Sequence, residues 1–64
     1  MVLINGEEKN IGGMTVMQCL EVEGLAPERV AVMINGEILP KSDYSATVIE
    51  DGSEVDIVGF VGGG

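Results

Sequence analysis

Few residues of this 64-residue chain can form or break a bond. Cys19 is its single cysteine, and it has no histidine to act as a base. A thiol attacks only as its thiolate, which needs a base or a positive environment. Cys19 instead shares helical spacing with Val16 and Leu20, so it is expected to be a buried, inert side chain. The carboxylate pairs Glu7-Glu8 and Glu50-Asp51 flank turns, where such charges are ordinarily solvated. The third candidate is the run Phe60-Val61-Gly62-Gly63-Gly64. Glycine adds no apolar surface and loses more conformational freedom on ordering than any other residue. An end of this kind is either unordered or built to enter a narrow place that side chains would block.

The elements that must position this end follow from local chemistry. The text INGE occurs at residues 4–7 and again at 34–37. Asn-Gly is the strongest short-range hairpin signal, because a type I′ turn needs positive φ at both central residues. The spacing predicts one hairpin from residues 1–5 and 7–11 and a second from 30–35 and 37–39, ended by Pro40. Between them Thr15 and Gln18 read as a capping box, Met14 and Cys19 as a hydrophobic staple, and Gly24 as a left-handed stop. A helix over 16–23 follows. Residues 41–46 are polar and predict one short helical turn; residues 47–49, an Asp51-Gly52 turn and a strand over 54–60 complete the order β-β-α-β-β-β.

One domain is the only count this length allows, with residues 1–60 as its body and 61–64 as a tail. A domain of about 60 residues buries only about 60% of its unfolded surface, so its core must be efficient. No intrachain disulfide or Cys/His zinc site is available to help. Eleven acidic against three basic side chains give a net charge of −8. That surface repels nucleic-acid phosphates and anionic lipid, and suits basic protein partners. No stretch reads as a signal peptide or a membrane span, and a lone thiol suggests the cytosol; the expected localisation is cytoplasmic.

The last strand is expected to join the first, giving a mixed sheet of four to five strands over one helix. Val2, Ile4, Val32, Ile34, Val55 and Ile57 should face the helix, which supplies Val16, Cys19, Leu20 and Leu25. Alternation puts Leu3, Met33, Val58 and Phe60 on the other face, as an apolar stripe leading into the glycines. Such a patch often marks a partner surface.

The element order, the Asn5-Gly6 and Asn35-Gly36 turns, MTVMQCL at 14–20 and the final FVGGG together resemble the ThiS sulfur carriers of thiamine biosynthesis. The resemblance spans the whole chain, and Gly63-Gly64 at its end is the most specific part. It implies an α+β fold, the ubiquitin-like β-grasp, with a flexible Gly-Gly tail. It implies a protein co-substrate rather than an enzyme. Gly64, supported by Gly63, would be adenylated by an E1-like adenylyltransferase using Mg-ATP. A persulfide donor such as a cysteine desulfurase would convert it to a thiocarboxylate, and a thiazole synthase would take the sulfur. Leu3, Met33, Val58, Phe60, Val61 and Gly62 would meet the partners, and no cofactor or metal would be bound. Extended, residues 61–64 reach about 13–14 Å, at ~3.3–3.6 Å per residue, enough to thread a channel while the body docks outside. A molybdopterin-pathway carrier, a protein modifier joined through Gly64 and a plain interaction domain share these features and stay open at this point.

Overall fold

The computed structural model of the chain describes residues 1–59. Both Asn-Gly pairs adopt the backbone that the sequence requires: Asn5 and Gly6 have φ of 49° and 85°, Asn35 and Gly36 of 51° and 85°. The first turn joins β1 (Val2–Ile4) to β2 (Glu7–Lys9), and the second joins β3 (Val30–Ile34) to β4 (Glu37–Leu39). The ladder of the first hairpin is shorter than expected, stopping at Lys9. Ile11 has left the strand yet is 8% exposed, because it tucks into the core instead of continuing the edge.

The last strand, β5 (Glu54–Gly59), enters between the hairpins, parallel to β1 and antiparallel to β3. The sheet order is β2-β1-β5-β3-β4. β5 is therefore the one element that joins the two hairpins into a single mixed sheet. The expected architecture, a mixed sheet of four to five strands over one helix, is present with five.

Helix α1 (Val16–Glu23) starts and stops as its ends dictate. Thr15 Oγ1 accepts the Gln18 N–H at 3.1 Å, and Gln18 Oε1 accepts the Thr15 N–H at 2.9 Å. The remaining free N–H groups of the first turn go to the 44–47 connection: Val16 N donates to Thr47 O at 2.9 Å and Met17 N to Tyr44 O at 3.0 Å. The helix N-terminus thus has its donors spent inside the protein. At the other end Gly24 takes the left-handed conformation, φ 74°. The Leu25 N–H then reaches back to Leu20 O at 2.9 Å.

The core lies between α1 and one face of the sheet. Val2, Ile4, Val32 and Val55 are buried there as expected, against Val16, Cys19 and Leu20; Ile34 and Ile57 are half-buried at its margin. Leu25 is a correction: it is 37% exposed, because the turn closing the helix swings it to the rim. Its expected place is taken by residues from a segment that reads as polar. Tyr44 is 1% exposed and Ile49 also 1%. The predicted helical turn is there, over Lys41–Asp43, and it delivers Tyr44 into the core. Residues 47–49 pair with the approach to the helix, through the Thr15–Val48 bridge and the Ile49 N to Met14 O bond of 2.8 Å.

Candidate functional site

β5 is the strand that carries the chain toward Gly63-Gly64, so the candidate site is built around it. Val55 and Ile57 turn inward, and alternation turns Glu54, Asp56 and Val58 outward. Register decides what stands beside each. Val58 pairs with Ala31, and Asp56 with Met33, which pairs on its other side with Ile38. Leu3 pairs with Glu54 and with Glu8.

The outer face therefore has two ends. Ala31, Met33, Ile38 and Val58 make an apolar corner toward the Gly59 end of β5. Ile38 is 76% exposed and Val58 52%. At the opposite end Leu3 stands among Glu8 and Glu54, four positions along β5 from Val58, or roughly 13 Å at ~3.3 Å per residue. Asp56 lies between. Leu3, Met33 and Val58 do share a face, but only Met33 and Val58 are near neighbours; two carboxylates divide them from Leu3. Phe60, Val61, Gly62, Gly63 and Gly64 lie outside the described residues.

Ile38 and Ala31 are additions. Ile38 was legible in principle: a two-residue turn at Asn35-Gly36 sets Met33 opposite Ile38. No paired position of this face carries a cation, so its charge is wholly negative among the described residues. Lys9, on the sheet's other side, is 3.6 Å from Glu23 of α1.

Cys19 has the character expected of it. It is 2% exposed. Burial pushes its thiol pKa up, Glu23 adds to the rise and Lys9 opposes it. A thiol so placed is held protonated and away from reactants. The pairs Glu7-Glu8 and Glu50-Asp51 are exposed. Among the described residues no group of His, Cys, Asp and Glu is arranged to hold a metal ion.

The profile of the ThiS family matches residues 2–64. The chain belongs to the ThiS family. A ThiS relative of equal extent, the sulfur carrier protein ThiS of Thermus thermophilus, is 33% identical over 64 residues, covering 100% of both chains. A crystal structure of the thiamine biosynthesis protein (ThiS) of Geobacter metallireducens superposes with a TM-score of 0.78 at 31% identity, over 98% of this chain and 97% of that one. The fold is thus the β-grasp of ThiS proteins. A thiazole synthase of Paramagnetospirillum magneticum is 45% identical over 64 residues, 98% of this chain but 20% of that protein. The chain spans about a fifth of that relative's length, so a ThiS-like segment there shares a polypeptide with a much larger remainder.

Proposed function

We propose that this ThiS-family chain is a sulfur carrier for thiazole formation in thiamine biosynthesis. The observation that carries the reading is the end-to-end match to a sulfur carrier protein ThiS, 33% identical over the full length of both chains. The 45% identity to part of a thiazole synthase favours that enzyme class as the acceptor.

The chemistry begins at the Gly64 carboxylate. A carboxylate is a poor electrophile, because neither oxygen can leave. An E1-like adenylyltransferase would transfer AMP from Mg-ATP to one oxygen, releasing pyrophosphate and giving an acyl-adenylate. The terminal sulfur of a persulfide, held on a donor such as a cysteine desulfurase, would attack the acyl carbon. AMP leaves with the carbon–oxygen bond. A thiol then cleaves the sulfur–sulfur bond, taking the disulfide partner and freeing the thiocarboxylate. A nucleotidyl transfer at phosphorus followed by one acyl transfer replaces a single unfavourable exchange. Thiazole synthase receives the sulfur.

In this scheme the chain supplies the acyl carbon and its delivery, and its partners supply bases and metal. Gly63 and Gly62 keep the approach to the acyl carbon free of side chains. Val61, Phe60 and the apolar corner at Val58 and Met33 dock the body. Leu3, set among carboxylates, would lie at the margin. A cytoplasmic setting, where persulfide donors and ATP coexist, suits the reaction.

The test is mass spectrometry of the chain after incubation with the adenylyltransferase, Mg-ATP and a persulfide donor. Oxidising a methionine or Cys19 adds nearly the same mass as replacing oxygen by sulfur. The shift must therefore be located on Gly64 by fragmentation or trapped with a thiol-reactive reagent. Sulfur on Gly64 is the expected result. Its absence, with a partner active on another carrier, would refute the reading.

A further inference from the structure

The two Asn-Gly turns are more alike than hairpin chemistry requires. Asp-Gly or Gly-Gly would serve the type I′ backbone as well. Each asparagine also reaches β5 with its side chain, from opposite sides, Asn35 at the first residue of the strand and Asn5 at the fourth. Asn35 Oδ1 accepts the Glu54 N–H at 2.9 Å, at the start of the strand. Asn5 Oδ1 accepts the Ile57 N–H at 2.8 Å, and Asn5 Nδ2 donates to Ile57 O at 3.2 Å.

Residue pairing between β1 and β5 ends at Ile4 and Val55. The Asn5 backbone N–H still reaches Val55 O, at 2.9 Å. Its carboxamide then presents one donor and one acceptor to Ile57, as a strand peptide would. The side chain thereby carries the parallel ladder one step past the end of β1. Among the described residues it is the last partner that β5 meets on that edge; Gly59, the last described residue of the strand, is two positions further on and pairs with Val30 of β3 on the other edge.

We propose that Asn5 is a positioning residue: its carboxamide fixes the β1-side edge of β5 at Ile57 and so sets the course on which the chain runs on past Gly59. The inference rests on the carrier reading above. A fixed exit lowers the ordering cost of bringing the terminus into a partner's site. It acts on encounter and orientation and leaves the chemical step to the partner. Loss of the clamp therefore raises KM for the carrier and spares kcat.

The matched turn provides the control. Asn5→Gly and Asn35→Gly both keep the positive φ and both delete a side-chain clamp on β5. Each is compared with the unaltered chain by amide exchange in NMR and by ATP–pyrophosphate exchange with the adenylyltransferase. For Asn5→Gly the expected result is faster exchange at Ile57 and a KM raised about fivefold, with kcat within about twofold. Asn35→Gly should lose similar thermal stability, speed exchange at Glu54 and leave KM unchanged. Asn5→Asp keeps the acceptor and loses the donor, so its KM should fall between the two. Equal KM changes for the two glycine variants, or none for either, would overturn the proposal. If the unaltered chain is not adenylated, the carrier reading fails by itself. Exchange at Ile57 then decides: no change in Asn5→Gly would overturn the clamp as well.

Discussion

The Tyr44 carbonyl accepts the Met17 N–H at 3.0 Å while the Tyr44 ring is 1% exposed, so one residue both plugs the core and ties down the start of the helix. Tyr44 is among the largest fully buried side chains. In a domain of this size that double duty concentrates stability in a connection that otherwise looks expendable.

Tyr44→Ala should therefore cost about 3–5 kcal/mol, the range for emptying a buried aromatic site. A domain of this length has a total stability of the same order, roughly 3–10 kcal/mol. Circular dichroism should show a chain largely unfolded or melting far lower. A melting temperature close to that of the unaltered chain would show that the core closes over the gap.

The capping box offers a gentler change. Thr15→Ala and Gln18→Ala each remove half of the reciprocal pair and should each cost about 1 kcal/mol. That corresponds to a melting shift of about 4–8 °C. The double variant should cost less than the sum, because the two bonds support one another. Strict additivity would show the two halves to be independent.

Val58→Glu places a fourth carboxylate on the outer face, after Glu8, Glu54 and Asp56. At 52% exposure the site should lose less than about 1 kcal/mol of stability. Binding to a thiazole synthase, measured by calorimetry, should weaken about tenfold or more if the apolar corner docks there. Ile38→Glu tests the same corner from β4. A large loss of stability with unchanged binding would mean that the face serves folding alone.

Cys19 makes a prediction about pH. Its folded pKa lies above the ordinary 9.0, because burial disfavours the thiolate. Below that value folded and unfolded chains both keep the proton, and stability is indifferent to this group. As pH rises past it the unfolded thiol ionises first, so this group's contribution is lost until the folded pKa is passed. Iodoacetamide at pH ~8 should label the native thiol about a hundredfold more slowly than in concentrated urea. Equal rates would show that the helix opens readily around Cys19.

Gly63→Ala and deletion of Gly64 address the carrier chemistry directly. Removing Gly64 withdraws the carboxylate by one residue, ~3.5 Å, and should abolish ATP–pyrophosphate exchange without changing the melting temperature. Gly63→Ala should slow it about tenfold or more by narrowing the fit. Normal exchange by the shortened chain would remove the delivery argument.

What the sequence reveals of this molecule is what neighbouring residues settle between themselves. Both Asn-Gly turns, the Thr15–Gln18 box and the Gly24 stop are local, and each is found in its expected place. The strand faces followed from alternation, and register then showed Leu3 to be separated from Met33 and Val58. Tyr44 and Ile49 lie in a connection without periodicity, so nothing in the pattern marks them as core. Leu25 misleads for the opposite reason, being apolar and next to the helix but beyond the residue that turns the chain. The Asn5 clamp joins residues 52 positions apart, and no local rule reaches that far.

The central place of β5 has a consequence for how the molecule comes into being. Before residues 54–59 leave the ribosome, the two hairpins share no strand and the helix has only part of a sheet to cover. Long-range pairing of this kind closes late. Completion of the fold therefore waits for the strand that leads toward the glycine run, and a nascent chain has no assembled body before that strand has been delivered.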